Sequence, residues 1–211
     1  MPPGQIDMSE KPRIEEASDL QPVPIELFDE LNHLINVQLN KPGTLIDHLK
    51  QAYDFLDKVN RTYVSTFTTC SKGCSHCCYM DVQLSAFEAE YICVATGIPH
   101  QPFNKLTTDH KTPCPFLSEQ NACAIYEHRP LFCRTYHSLS APELCGIKNA
   151  VFAHYGTAES DMGNIIYRSV YLWIHHHNMH QTGGNIKDIR DYFPHDPIAM
   201  RRHLSEIVKA E

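Results

Sequence analysis

Four cysteines fall within nine residues in the run Cys70-Ser71-Lys72-Gly73-Cys74-Ser75-His76-Cys77-Cys78. Four more, Cys114, Cys123, Cys133 and Cys145, follow in a stretch rich in turn-forming residues. A chain of 211 residues buries a core without covalent staples, so these thiols are not needed to rescue a small fold. The N-terminal residues Met1-Pro2-Pro3-Gly4-Gln5-Ile6-Asp7 lack the basic and apolar regions of an export signal. A cytoplasmic location is therefore expected, and in that reducing compartment dense thiols are metal or cluster ligands rather than disulfides.

A soft, thiolate-rich set selects zinc, iron–sulfur clusters or Cu(I) over hard cations. Spacings of two or three residues let loop thiolates converge on one centre, which a remote pair completes. The vicinal pair Cys77-Cys78 adds a constraint, because neighbouring side chains diverge in most backbone conformations. Either one of the two is spare, or the eight thiols serve two centres, or a cluster sits beside a reactive thiol.

The segments around the cysteines read as helical. Residues 1–22 are rich in Pro, Glu and Ser without periodicity, as in a flexible tail. From Pro24, Leu27, Phe28, Leu31, Leu34 and Ile35 form one stripe, ended by Lys41-Pro42-Gly43. Thr44 has the character of an N-cap, with Asp47 in the first turn. Leu45, Leu49, Ala52, Leu56, Val59 and Tyr63 then alternate at spacings of four and three, predicting a long helix antiparallel to the first. Val82-Gln83-Leu84 is extended, and Ser85-Ala86-Phe87-Glu88 is a capping box opening a helix stopped by Gly97. Cys93 lies on that helix as a small apolar residue. A small hairpin is expected around Ser118-Glu119-Gln120-Asn121, and a helical turn from Pro130 holds Cys133 and Arg134. Ile166, Val170 and Trp173 mark a helix from Asp161 to Met179, closed by Gly183-Gly184, and a last helix starts near Pro197.

The fold class is therefore mainly α with a small irregular cysteine-rich centre containing a short β-hairpin, an α+β chain with few strands. One domain is expected over 23–211, made of a helical hairpin (23–69), a cysteine-cluster metal-binding region (70–146) and C-terminal helices (147–211). The hairpin stripe of Leu49, Leu56 and Val59 is expected to pack against the helix of Ile166, Val170 and Trp173.

The order Cys70-x3-Cys74-x2-Cys77-Cys78, then Pro113-Cys114-Pro115-Phe116-Leu117, then Cys123-Ala124-Ile125-Tyr126-Glu127-His128-Arg129-Pro130-Leu131-Phe132-Cys133-Arg134, resembles the YkgJ-type cysteine-cluster family over residues 70–146. Cys145 also has a counterpart there. The resemblance implies a zinc- or iron-chelating domain. It also brings in relatives among flagellin lysine methylases that carry an iron–sulfur cluster. The other motif residues have physical reasons. Four thiolates around a divalent ion or a [4Fe–4S] core leave excess negative charge, which Lys72, Arg129 and Arg134 are placed to offset. Gly73 permits a tight turn, and Pro113 and Pro115 stiffen the chain at Cys114.

The remaining sequence narrows the partners. A net charge of −7, without a dense basic run, excludes a nucleic-acid partner, and no apolar stretch is long enough to span a bilayer. An unknown protein or small molecule is left as partner. His76 inside the run, and His176 and His180 four apart in His175-His176-His177-Asn178-Met179-His180, are further candidate ligands, although the second group equally suits a helix end. The leading function is a metal-binding protein holding iron, as a [4Fe–4S] cluster or as the ion, with Zn2+ as the alternative metal. The alternative function is a cluster-dependent redox or methyl-transfer enzyme. Radical-SAM chemistry would share the Cys-x3-Cys-x2-Cys spacing but needs a strand–helix barrel that the pattern lacks. Thiol–disulfide exchange would want an isolated Cys-x-x-Cys beside a βαβ pattern.

Overall fold

The computed structural model describes residues 14–101, 106–147, 150, 153–157 and 162–193. The helix expected near Pro197 and the start of the helix placed at Asp161 lie outside them. The chain divides into two compact units, Met1–Ser71 with Arg134–Val170 and Lys72–Cys133 with Tyr171–Glu211. The described residues are mostly helical, with two small sheets.

In the first unit, α1 (Ile25–Asn36) and α2 (Leu45–Thr62) form the expected hairpin. Thr44 accepts the Asp47 N–H at its side-chain oxygen, 3.1 Å away, which satisfies one of the orphan donors of the α2 N-terminus. The apolar stripes are buried: Leu27, Leu31 and Leu34 on α1, and Leu49, Ala52, Leu56 and Val59 on α2. Each of the leucines and the valine contributes roughly 1.5–3 kcal/mol on burial. Lys58 of α2 reaches Glu30 of α1 at 2.6 Å across the solvent side. Of the segment read as a tail, the described residues 14–22 include a buried Ile14 and a 3-10 turn at Ala17–Asp19, and Tyr63 donates its hydroxyl to the Gln21 carbonyl at 2.6 Å.

The rest of this unit is a three-stranded sheet and the first residues of α5 (Ile165–Thr182). β2 (His137–Ser138) runs antiparallel to β3 (His154–Thr157), and β3 runs parallel to β4 (Gly163–Asn164). Ile166 and Val170 are buried as expected. A polar pair joins the helices: the Tyr167 hydroxyl donates to the Asn60 side-chain carbonyl of α2. Trp173 belongs to the second unit, where its ring meets Phe87 at 6.1 Å and His177 at 4.4 Å.

The second unit is framed by β1 (Gln83–Ser85), α3 (Ala86–Thr96), the short α4 (Leu131–Thr135, which begins here), the later turns of α5, β5 (Ile186–Asp188) and α6 (Ile189–Tyr192). Ser85 and Glu88 close the capping box as read from the sequence, and Gly97 ends α3 at φ +71°. β1 pairs antiparallel with β5, Leu84 opposite Lys187. That pairing was not foreseen, and it brings residues 188–190 beside the cysteine loops. The hairpin expected at 118–121 is reduced to one bridge, Leu117 to Cys123, around a turn whose Asn121 sits at φ +55°. Gly183 and Gly184, both at positive φ, lead out of α5.

Candidate metal centre

Three pieces of the second unit carry thiols to one another. The first is the loop of the cysteine run. Gly73 takes φ +100°, a conformation that L side chains rarely adopt, and Cys74 follows it directly. His76–Tyr79 then form a 3-10 turn, in which the Cys78 N–H donates to the Ser75 carbonyl at 2.9 Å. The second piece is the Cys114–Cys123 turn. It is held to the first by the Cys114 N–H, which donates to the Cys78 carbonyl at 2.6 Å. The third is α4, which presents Cys133. Its first N–H, that of Leu131, donates to Glu88 Oε1 at 2.8 Å, so the capping carboxylate of α3 also anchors α4.

The thiols of these pieces feel one another. Cys77 and Cys78 share a hydrogen bond that lowers the Cys77 pKa and raises that of Cys78. Burial and the negative charge of Cys114, Cys77 and Cys123 push Cys78 further up. Cys114 rises to about 12, through burial first and then the charges of Cys123 and Asp188, against the Phe116 N–H and Arg190. Cys133 also rises, through burial and then Cys77, Cys114 and Cys123. Cys77, Cys78, Cys114, Cys123 and Cys133 thus lie within electrostatic reach of one another, and ionising them together brings repulsion. No disulfide joins any of the nine cysteines. A bound cation of soft character would remove that repulsion, and the donor set fits one.

The expected basic residues take distinct places. Arg129 lies close enough to lower the Cys77 and Cys133 thiols. Its Nε donates to the Tyr126 carbonyl at 2.8 Å and its guanidinium covers the Tyr126 ring at 3.6 Å. Lys72 lies over the same ring at 5.0 Å and pairs with Glu127 at 3.2 Å, both side chains exposed. Arg134 is fully buried in the first unit, bonded to Asp57 and lying over the Tyr53 ring at 4.4 Å. Its observed charge partner is therefore a carboxylate.

Cys74 belongs to the second unit, in the same loop as Cys77 and Cys78. Cys70 and Cys145 belong to the first unit. There the Ser138 N–H donates to Cys70 Sγ at 3.1 Å, and Cys145 sits in the 3-10 turn Pro142–Gly146. Cys93 is half-buried on α3. His76 opens the 3-10 turn. On α5, the His176 and His180 rings lie 4.4 Å apart and exposed, His175 stacks on Tyr171, and His177 packs on Trp173.

Arg190 was missed by sequence reasoning. Its side chain donates to the carbonyls of Thr112 at 2.9 Å, Met80 at 3.1 Å and Cys78 at 3.3 Å, and pairs with Asp188 at 2.9 Å. It ties both cysteine loops together and lowers the Cys114 thiol. No local motif marks it, since it is far from the cysteines in sequence and arrives through the β1–β5 pairing. Among the described residues no helix is long and apolar enough to cross a membrane.

No curated protein and no solved structure matches the chain. Residues 69–157, which hold all eight motif cysteines, match the model of the CxxCxxCC family, described as a "putative zinc- or iron-chelating domain", the same family that the cysteine spacing resembles.

Proposed function

We propose that the thiols of the second unit bind iron as a [4Fe–4S] cluster, and that the chain is an iron–sulfur protein. The observation that carries this reading is the nearness of Cys77, Cys78, Cys114, Cys123 and Cys133, whose thiolate charges bear on one another. A cluster of thiols that raise one another's pKa is poorly stable as thiolates alone, and it is relieved by a soft metal. The cluster is favoured over zinc by the loop, since Cys74-x2-Cys77-Cys78 sets three thiols of this unit within five residues of one another, the close spacing of cluster ligands. Arg129 and Arg190 supply the positive charge that a cluster with four thiolates, of net charge about −2, calls for.

Anaerobic purification followed by metal and acid-labile sulfide analysis tests this. Coloured protein with iron and sulfide in equal amounts is expected. Colourless protein with stoichiometric zinc and no sulfide would replace the cluster by a zinc site. Cys123→Ala and Cys133→Ala should each lose the metal, whereas Cys93→Ala should retain it. The same measurement on Cys70→Ala and Cys145→Ala assigns the two thiols of the first unit.

A further inference from the structure

A second group of metal-ligating side chains stands apart from the thiols. Asp81 follows the cysteine run, His110 lies in the loop before Cys114, and Asp188 ends β5. One ligand atom of each lies within 4.8 Å of the others. His110 Nδ1 is 2.8 Å from Asp81 Oδ1 and 3.7 Å from Asp188 Oδ1. Adjacent ligands on an ion with bonds of about 2.0–2.2 Å are separated by about 3.0–3.5 Å, so the two distances bracket a coordination edge.

The hydrogen bonds around His110 fix which nitrogen carries a proton. Thr107 donates its N–H to Asp191 Oδ2 at 3.0 Å and its hydroxyl proton to Asp191 Oδ1. A hydroxyl has one proton, so Thr107 Oγ1 must accept from His110 Nε2, 2.7 Å away. Nε2 therefore carries hydrogen, and Nδ1 is the nitrogen aimed at two carboxylates. A bare lone pair cannot rest 2.8 Å from a carboxylate oxygen, so a positive species stands at Nδ1, either a proton or a metal ion. One N–H would need one acceptor, yet a second carboxylate oxygen, only 3% exposed, converges on the same nitrogen. Both carboxylates are held in place. Asp81 accepts the N–H groups of Asp109 at 2.7 Å and His110 at 3.1 Å. Asp188 accepts the Val82 N–H at 2.7 Å, the Arg190 N–H at 2.8 Å and the Arg190 guanidinium. A histidine whose far nitrogen donates to a hydroxyl–carboxylate chain is the usual outer support of a metal ligand.

We propose that His110 Nδ1, Asp81 and Asp188 form a separate site for a divalent first-row ion of the class of Mn2+, Fe2+ or Zn2+. One imidazole and two carboxylates suit that class and form a harder donor set than the thiolates of the cysteine centre. The inference is independent of the metal held by the cysteines.

Mn2+ is the probe, since it competes poorly for thiolates. Titration of the full-length protein, read by the loss of the free Mn2+ electron paramagnetic signal, should show one equivalent bound. Asp81→Asn and His110→Gln should each weaken binding by at least about tenfold, with circular dichroism unchanged, and Cys93→Ser should leave it unmoved. In histidine 15N NMR with Zn2+, His110 should keep hydrogen on Nε2 only. Persistence of hydrogen on both nitrogens with the metal ion present, or Mn2+ binding that neither variant alters, overturns the proposal and leaves a proton in the place of the ion.

Discussion

The Arg190 guanidinium donates to the Cys78 carbonyl at 3.3 Å while pairing with Asp188 at 2.9 Å. One buried cation thereby links the cysteine run, the Cys114 loop and the β5–α6 junction. Replacing it removes the guanidinium paired with the buried Asp188 and takes one donor from each of three loop carbonyls. Arg190→Ala should cost about 3–5 kcal/mol of unfolding free energy, the range for removing one partner of a buried pair. Arg190→Lys keeps charge but not the fork of donors, and should recover only part of this. Urea denaturation of the metal-free protein measures both. An Arg190→Ala variant as stable as the parent would show that the loops hold together without it.

Gly73 stands at φ +100° with open space around the position where a side chain would begin. The cost of Gly73→Ala is therefore conformational and not steric, about 1–2 kcal/mol in a left-handed backbone. It falls on the loop that aims Cys74, Cys77 and Cys78, so metal affinity should drop more than global stability does. Competition with a chelator, set beside thermal unfolding, separates the two effects. Equal losses in both would deny the loop its special role.

Arg134 is 1% exposed and bonded to Asp57, whose side chain is 31% exposed. Asp57→Ala removes the carboxylate bonded to this buried guanidinium. Because Asp57 is partly hydrated, the loss should fall at or below the lower end of the buried-pair range, about 2–3 kcal/mol. Arg134→Met should cost less, since it removes the charge together with its need for a partner. A double variant less destabilised than the sum of the two singles would show the coupling. If metal content stays at parent level in Arg134→Met, Arg134 acts in folding and not as a cation for the thiol centre.

The helical frame was readable because local chemistry dictates it. Thr44 caps α2 and Ser85 with Glu88 caps α3 where the sequence patterns placed them, and the stripe at Leu49, Leu56 and Val59 is buried as its spacing required. These features depend on neighbours three or four residues away. What escaped depends on distant pairing. Strand β5 has only three residues and no alternating pattern, so neither its pairing with β1 nor the arrival of Arg190 had a sequence signal. Trp173 continued a helical stripe by spacing, yet its ring packs on Phe87, because periodicity gives a face and not the neighbour that covers it. The five thiols whose charges bear on one another all belong to the motif read from the sequence. Their inequality was not legible there, since it arises from burial and from the hydrogen bond between Cys77 and Cys78.

That inequality predicts a reactivity order in the metal-free protein. The hydrogen bond from Cys78 lowers Cys77 to about 7, against burial and with help from Arg129. Burial and neighbouring thiols raise Cys114 to about 12 and also raise Cys133. The thiolate is the nucleophile, so iodoacetamide near neutral pH should modify Cys77 well before Cys114 or Cys133. The same shift has a stability consequence of known sign. A thiol with a lowered folded pKa stabilises the fold above its unfolded value of 9.0, and that contribution is lost as pH falls through about 7. Cys114 acts in the opposite direction. Its stabilising contribution is present below 9.0 and is lost as pH rises toward about 12. Cys77→Ala should therefore remove the neutral-range part of the pH dependence, and Cys114→Ala the alkaline part. Peptide mapping after limited alkylation, with thermal unfolding from pH 6 upward, checks both. Uniform labelling of Cys77, Cys114 and Cys133 would contradict the unequal surroundings on which the order rests.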